Sequence, residues 1–276
     1  MKFLVVLALA LAMASASTLP RRTRNHYRPR NVLIPPINKE VTKNPKYFGK
    51  IVGGSEAEPH SHPFIVHLLL DEAYLCGGSL IAPNVVVTAA HCTDGVRFVE
   101  VIAGAHRWEI NEPSQQTQVS TNIKTNTQFS FDTLDNDVAV IILDEDFDLT
   151  DEVATIDLAT SEPSVGSTIG ITGWGRDDSG NVSPTLQEAK VKVVDDSEAS
   201  SIYGSNMDWS SKICTEVANG VGTCNGDSGG PLYTGDGSSA SLVGIVSFGA
   251  SIGCDFGFPD CFTSVPSFID WINNNS

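Results

Sequence analysis

Hydrophobic and polar residues alternate over short distances along most of the chain. From residue 51 onward, short apolar runs recur between Gly, Asn, Asp and Ser, as in FIVHLLL, DVAVIIL, STIGITGWG and SLVGIVSFG. Apolar runs bounded by turn residues are typical of β-strands. The pattern therefore predicts an all-β protein, arranged as a sandwich or a barrel.

The C-terminal segment alone has a helical pattern. In VPSFIDWINNN, the apolar residues Phe268, Ile269 and Ile272 stand at positions i, i+1 and i+4. This spacing puts them on one side of a helix. Residues 51–276 are long enough for one large core or two modest ones. We therefore predict a β-protein that ends in a single helix.

The first 50 residues differ in character from the rest. Residues 1–16, MKFLVVLALALAMASA, combine a lysine, an apolar run and small residues in the pattern of a secretory signal peptide. The run is shorter than the roughly 18 residues that a membrane span requires, which argues against an anchor. Residues 17–50 are basic, rich in proline and without periodicity, as in an extended leader. We expect a secreted, extracellular protein.

Charge is distributed unevenly between these two parts. Residues 1–50 contain ten of the 17 Lys and Arg residues but only one of the 33 acidic residues. The remainder is therefore strongly acidic. A surface of this sign repels nucleic acid and anionic membranes, so neither is expected as a partner.

Six cysteines add a constraint once secretion is assumed. In an oxidising compartment they favour disulfides over metal ligation. Six cysteines allow 15 pairings, and spacing alone does not choose among them. None of them stands in the C-x-x-C spacing of a zinc site, so a metal centre is not predicted.

Candidate chemistry centres on Ser228 in the stretch GTCNGDSGGPL. By itself this stretch also fits an ordinary turn. A serine nucleophile requires a base, an acid that orients the base, and donors for the oxyanion. His91 directly follows the apolar run VVVTAA, and Asp137 begins the run DVAVIIL. The chain order His, Asp, Ser is that of chymotrypsin, not of subtilisin or the α/β-hydrolases.

Seven motifs then carry a resemblance to a known family. They are IVGG, CGGSLI, TAAHC, DNDVAVIIL, TGWG, CNGDSGGPL and GIVSFG. Their order and spacing resemble those of chymotrypsin-like serine proteases, and the segment after residue 222 is most similar to crab serine collagenases and insect digestive proteases, including chymotrypsins. The resemblance implies two antiparallel six-stranded β-barrels with a C-terminal helix and a boundary near residues 156–165.

The same resemblance implies catalytic roles. Ser228 corresponds to the nucleophile, His91 to the general base and acid, and Asp137 to the group that orients the imidazole. The backbone N–H groups of Gly226 and Ser228 correspond to the oxyanion hole. Peptide bonds would be hydrolysed through an acyl-enzyme without a metal or organic cofactor. Ala105 stands where some trypsins have a calcium ligand, so no calcium site is expected.

An activation step is also implied. By resemblance, residues 17–50 form a propeptide, and residues 51–276 form the protease domain. Cleavage after Lys50 by a trypsin-like protease would free the amino group of Ile51, which would then pair with the carboxylate of Asp227. A buried carboxylate requires such a positive partner. The uncleaved chain is therefore expected to be an inactive zymogen.

The specificity pocket departs from that of trypsin. Gly222, followed by Thr223, occupies the position where trypsins place an acid, which predicts a neutral pocket for Phe, Tyr or Leu. Asp260 lies on the opposite wall by resemblance, where it would either read Lys and Arg or only hydrogen-bond the wall. The segment from Ser247 to Gly249 resembles the edge strand that pairs with the substrate backbone.

The resemblance also suggests how the cysteines pair. The expected disulfides are Cys76–Cys92, Cys224–Cys254 and Cys214–Cys261. The first two match family bridges. The third does not, because Ala199 occupies the position of the usual partner of Cys214, and two free thiols remain an alternative.

The function expected from all of this is that of a secreted, monomeric digestive endopeptidase. Its partners would be protein or peptide substrates, an activating protease and protein protease inhibitors. An inactive homologue that serves as a binding adaptor is the alternative. Such proteins usually lack the serine or the histidine, and both are present in this chain.

Overall fold

The computed structural model describes residues 51, 53–175, 182–250, 254 and 257–276. The predicted signal peptide and leader, residues 1–50, lie outside this part. The strands are, in chain order, β1 (Ser55–Glu56), β2 (Ile65–Leu70), β3 (Tyr74–Ala82), β4 (Val85–Thr88), β5 (Val99–Ala103), β6 (Gln116–Ser120), β7 (Asn122–Thr125), β8 (Ala139–Ile142), β9 (Asp157–Leu158), β10 (Thr168–Gly173), β11 (Gln187–Lys192), β12 (Lys212–Thr215), β13 (Pro231–Thr234), β14 (Ser241–Phe248) and β15 (Asp260–Ser264). The helices are α1 (Ala90–Thr93), α2 (Asp196–Tyr203) and α3 (Val265–Asn275).

Two antiparallel sheets make up the described fold. The first has the order β6-β5-β2-β3-β4-β8-β7, and the second has the order β1-β11-β10-β13-β14-β15-β12, with β9 parallel to β14. The predicted all-β class with two β-units and a C-terminal helix is confirmed. In the described residues the sheets contain seven and eight strands, because short edge segments such as β1 and β9 join them.

The chain passes from the first sheet to the second between β8 and β9. β8 pairs with β4 and β7, whereas β9 already pairs with β14. His91 and Asp137 therefore belong to the first sheet, since they adjoin β4 and β8. Ser228 precedes β13 and belongs to the second. Any site that joins these three residues must lie where the sheets meet.

The expectation that only the C-terminal segment is helical is wrong. Residues Asp196–Tyr203 form α2, whose N-cap Asp195 accepts a hydrogen bond from the Ser197 N–H. Ser, Asp and Glu dominate this segment, so its apolar periodicity is weak. A side-chain cap and the burial of Ala199 and Tyr203 define the helix instead.

Three clusters of buried side chains hold the fold together. The largest fills the first sheet and extends to Val265 and Ile272 of α3, and a second fills the second sheet around Ile171 and Phe262. The third joins Leu134, in the loop before Asp137, to α2, β12 and the end of β14. This third cluster packs the loop that carries Asp137 against the second sheet. In the part of the chain that the structure describes, no helix is long and apolar enough to cross a membrane.

Candidate active site

His91 and Asp137 are joined by two hydrogen bonds. The apolar strand β4 leads directly into the short helix α1, which carries His91. Its Nδ1 lies 2.8 Å from Asp137 Oδ2, and its backbone N–H donates to Asp137 Oδ1 at 2.8 Å. Both the ring and the main chain of the histidine are therefore fixed by one carboxylate.

The carboxylate of Asp137 is inaccessible to solvent and has further partners from the second sheet. Ser247 Oγ donates to Asp137 Oδ2 at 2.6 Å, and Thr263 Oγ1 donates to the Asp137 carbonyl oxygen at 2.8 Å. The sequence predicted Ser247 only as a lining residue of the pocket and did not identify Thr263. These contacts span 110 and 126 residues, and no local pattern reports them.

The environment of His91 favours its protonated form. Burial by itself would lower the pKa of the imidazole, but the charge of Asp137 and the hydrogen bond to it outweigh burial, so the pKa is raised. The side chain remains 19% exposed. The ring can therefore accept a proton and is still accessible from outside.

Ser228 lies on a tight turn of the second sheet that contacts the first. Its carbonyl oxygen accepts a hydrogen bond from the Gly77 N–H at 2.8 Å. The next residue, Gly229, has a φ of +76°, and a Cβ there would overlap Thr88 Oγ1 at the end of β4. Only a glycine therefore lets the turn approach the strand that leads to His91.

The structure does not join Ser228 and His91 by a hydrogen bond. Among the bonds of the described residues there is none between Ser228 Oγ and His91 Nε2, and Nε2 instead lies 3.8 Å from Cys92 Sγ. The Ser228 turn and the helix that carries His91 are thus both held against β3 or β4 of the first sheet, without a hydrogen bond between the two side chains. In enzymes without bound substrate, hydrogen bonds between catalytic side chains are often long and tighten only when substrate is present.

Two backbone N–H groups beside Ser228 are unused. Gly226 has a φ of +106°, a conformation that side chains resist. Within the described residues, neither the Gly226 nor the Ser228 N–H donates a hydrogen bond to a backbone or side-chain acceptor. Both are therefore available to an oxyanion.

Asp227 is buried next to the serine, and both its carboxylate oxygens are bonded to the main chain. Oδ1 accepts from the Gly175 N–H at 2.7 Å, and Oδ2 accepts from the Cys224 N–H at 3.0 Å. A Cβ on Gly173 or Gly175 would overlap the carboxylate, which explains both glycines of the TGWG motif. No ion pair of the described residues includes Asp227.

Burial without a cation changes the acidity of Asp227. It raises the pKa of this carboxyl to about 6, against the opposing effect of the two N–H donors. Ile51, its expected partner after cleavage, is completely buried in the core of the second sheet. Lys50 lies outside the described residues. In this structure the aspartate therefore has hydrogen bonds but no counter-charge.

Asp260 lies between the two predicted pocket glycines. Its Oδ2 accepts from the Thr223 N–H at 2.5 Å and from Thr223 Oγ1 at 2.9 Å. A Cβ on Gly222 would be 2.6 Å from Oδ2, and one on Gly249 would be 2.5 Å from Oδ1. Three of the five residues predicted for the pocket, Gly222, Thr223 and Gly249, thus surround the carboxyl group of a fourth, Asp260, whereas the fifth, Ser247, binds Asp137.

Asp260 is 2% exposed, and this burial raises its pKa to about 7. The hydrogen bonds from Thr223 act against the rise, and the charge of Asp227 adds to it. The carboxyl therefore changes its charge near neutral pH.

Three disulfides surround the site, and they are the three predicted pairs. Cys76–Cys92 links β3 to α1, Cys224–Cys254 adjoins the Asp227 loop, and Cys214–Cys261 joins directly opposed residues of β12 and β15. The alternative of two free thiols is thereby excluded, since the structure has no free cysteine.

No cluster of three or more His, Cys, Asp or Glu side chains suited to a metal ion occurs in the described ranges. The groups that converge on the site are instead a serine hydroxyl, an imidazole, a buried carboxylate and free N–H donors. This set of groups matches nucleophilic acyl transfer.

Comparisons with known proteins agree with this geometry. The sequence profile of the trypsin family, described as "Trypsin", matches residues 51–272. Brachyurin from Leptuca pugilator is 42% identical over 229 residues, which cover 82% of this chain and 98% of brachyurin. Trypsin-1 from Astacus astacus is 34% identical over 240 residues, covering 82% of this chain and all of that protein.

A relative from an insect is also a trypsin. Trypsin alpha from Drosophila melanogaster is 34% identical over 234 residues, covering 83% of this chain and 88% of its own. These relatives match along nearly their whole length. The resemblance drawn from the seven motifs is therefore confirmed.

Proposed function

Because the chain belongs to the trypsin family of serine endopeptidases, we propose that it is a secreted zymogen whose triad is His91, Asp137 and Ser228. The observation that carries the proposal is the buried Asp137 carboxylate. Its Oδ2 atom lies 2.8 Å from His91 Nδ1. The Ser228 turn contacts the same sheet through its hydrogen bond with Gly77. Substrates are protein or peptide chains.

In the proposed reaction, Ser228 Oγ attacks the peptide carbonyl while His91 Nε2 takes its proton. Asp137 fixes the Nδ1–H tautomer and stabilises the imidazolium that forms. The leaving amine then receives that proton from His91. In the second half of the reaction, water attacks the acyl-enzyme while His91 takes its proton, and His91 returns the proton to Ser228 Oγ as the acid product leaves. The raised pKa of His91 supports this role, because stabilising the imidazolium makes the imidazole a stronger general base toward Ser228 Oγ.

The oxyanion is received by the N–H groups of Gly226 and Ser228. Both are free of other acceptors among the described residues. The positive φ of Gly226 orients its N–H in a way that a residue with a Cβ would resist. In proteases of this kind, one such donor contributes roughly 10²–10³ in kcat.

Activation follows cleavage between Lys50 and Ile51. The new amino group of Ile51 pairs with Asp227 and replaces main-chain hydrogen bonds of its carboxylate. Asp227 lies between Gly226 and Ser228 in the chain, so its movement would shift both oxyanion donors. The absence of a counter-charge among the described residues supports this role, because a buried carboxylate is costly without one.

Specificity is broad, with aromatic residues and leucine preferred before the scissile bond. Gly222 places no charged side chain against an aromatic ring, and Asp260 offers a carboxylate to Lys or Arg when it is ionised. The contact of this carboxyl with Thr223 supports the other view too, in which it only holds the wall. Measuring kcat/KM for basic and aromatic substrates across pH distinguishes an Asp260 that binds substrate from one that only supports the wall.

We further propose an extracellular digestive role. Three disulfides suit an oxidising compartment, and the N-terminal sequence has the pattern of a signal peptide. The names of the relatives, brachyurin and trypsin, are those of proteases that cut proteins. The enzyme would act as a monomer and be controlled by an activating protease and by protein inhibitors.

A fluorophosphonate probe tests the proposed nucleophile. After cleavage at Lys50, the probe should label one peptide, the one containing Ser228, and label must be absent from a Ser228→Ala variant treated in parallel. His91→Ala should also abolish labelling, because the hydroxyl loses its base. A cleaved, folded wild-type chain that remains unlabelled would support the inactive-adaptor alternative instead.

A further inference from the structure

Lys212 is a lysine in an unusual place. It begins β12, is 4% exposed, and lies within the second sheet. Its Nζ donates to Asp135 Oδ1 at 2.7 Å and to the Leu134 carbonyl oxygen at 3.1 Å. Both acceptors belong to the loop that leads into Asp137, on the first sheet.

That loop has a strained backbone. Leu134 has a φ of +52° and Asn136 has a φ of +57°, left-handed values that residues with a Cβ seldom adopt. Such conformations persist only where surrounding contacts hold them, and they concentrate at functional sites. The residue between them is Asp135, which Lys212 binds directly.

The loop is also held at two further points, one just before β12 and one on β15. Asp135 Oδ1 also accepts a hydrogen bond from the Asp208 N–H at 2.9 Å. Thr263, which stands opposite Lys212 in the pairing of β12 with β15, donates to the Asp137 carbonyl oxygen. Lys212 and Thr263 therefore hold the segment on either side of the Asp137 side chain.

We propose that Lys212 and Asp135 form an inter-sheet latch that positions the Asp137 carboxylate for His91. Neither touches substrate, so both are positioning residues. The inference rests on the proposed function, since it assigns a role within the same triad. It links the sheet that carries His91 and Asp137 to the sheet that carries Ser228.

A purely structural role explains the pair less well. A buried ion pair contributes little net stability, and apolar side chains of similar volume often serve as well. What an apolar pair would not supply is a directed bond to the Leu134 carbonyl and the Asp135 side chain. The ion pair therefore fixes where the loop lies, and this determines the His91–Asp137 geometry.

The double variant Lys212→Met/Asp135→Asn tests the latch. It removes both charges, so the summed charge near His91 does not change and an altered result reports geometry. We expect kcat/KM of the cleaved, active-site-titrated enzyme to fall roughly tenfold to a hundredfold, as misplaced catalytic groups typically cause. The acid limb of its pH profile should move to lower pH, because a weaker Asp137 contact lowers the pKa of His91.

Two control variants distinguish an effect on the placement of Asp137 from a general loss of protein stability. Lys190→Met/Asp236→Asn removes an exposed pair of the same composition, 3.1 Å apart, and should leave kcat/KM within about twofold. Val191→Ala destabilises the second core without touching the loop. If the latch variant and Val191→Ala both lower only the Tm, with kcat/KM and the acid limb unchanged, the latch is overturned.

A spectroscopic readout keeps this test independent of catalysis. The proton on His91 Nδ1, in its hydrogen bond to Asp137, should give a low-field NMR signal in the uncleaved full chain. It should shift upfield in the latch variant and stay in place in the Lys190 control. A wild type without activity would contradict the proposed function, whereas an unshifted signal in the latch variant would contradict the latch.

Discussion

Three buried aspartates, Asp137, Asp227 and Asp260, differ in what surrounds each carboxyl group. Asp137 binds an imidazole and a serine hydroxyl, Asp227 binds two main-chain N–H groups, and Asp260 binds Thr223. The last two have raised pKa values because burial disfavours their charge. In the proposed function, these different partners give the three carboxyl groups different roles: orienting His91, pairing with the Ile51 amino group, and binding a basic substrate side chain.

Asp260 gives the substrate preference a predicted pH dependence. Its pKa near 7 in the folded protein means that it is neutral below this pH and ionised above it. The ratio of kcat/KM for Arg over Phe substrates should therefore rise as pH increases through about 7. The ionisation of His91 affects both substrates alike and cancels in the ratio.

The control for this prediction is Asp260→Ala. A desolvated charge pair is worth a few kcal/mol, so this variant should lose Arg cleavage roughly tenfold or more and keep Phe cleavage. Its ratio should also be independent of pH. If the wild-type ratio is flat and the variant matches it, Asp260 only supports the pocket wall.

Sequence motifs led directly to the three residues of the proposed triad. His91, Asp137 and Ser228 stand in short motifs of recognisable order. Lys212 and the hydroxyl of Ser247 carry no such signal, because their contacts reach across 77 and 110 residues. Only the fold brings these partners together, so sequence alone assigned neither Lys212 to Asp135 nor Ser247 to Asp137.

At the scale of elements, β14, β15 and β12 form the frame of the site. β14 has an irregular register between Val246 and Phe248, which leaves Ser247 outside the ladder with β15 and lets its hydroxyl reach Asp137. β15 supplies Asp260 and Thr263, and β12 supplies Lys212. Strand positions were predictable from apolar runs, whereas this register shift and α2 were not, because neither has a periodic apolar pattern.

The Cys214–Cys261 disulfide fastens β12 to β15 within this frame. It closes a segment with a sequence separation of 47 residues. The chain-entropy estimate for such a loop is about 4 kcal/mol, and measured losses are typically 2–4 kcal/mol. The variant Cys214→Ala/Cys261→Ala should therefore lower the free energy of unfolding by about this amount in urea titrations. Unchanged stability would show that the frame holds without the bond.

At the scale of the whole molecule, the proposed reaction would depend on two sheets and on one cut in the chain. The first sheet carries His91 and Asp137, and the second carries Ser228 with the proposed oxyanion donors. In the uncleaved chain Asp227 lacks a counter-charge among the described residues, and Ser228 Oγ is not bonded to His91. Both features are consistent with the zymogen that we propose.

The pKa of Asp227 gives the uncleaved chain a pH-dependent stability. Its folded value of about 6 exceeds its ordinary value of 3.8. The contribution to stability is therefore fully present below 3.8 and is lost as pH rises through about 6. After cleavage, the Ile51 amino group should stabilise the charged carboxylate and remove this loss.

The most direct test of the central claim compares fluorophosphonate labelling of Ser228 before and after cleavage, in wild type and in Lys50→Gln. Immobilised trypsin performs the cut, and mass spectrometry assigns the label to the chain. We predict no labelling before cleavage, rapid labelling of wild type afterwards, and none in Lys50→Gln, whose Ile51 amino group stays in a peptide bond. Full labelling of uncleaved Lys50→Gln would contradict the account.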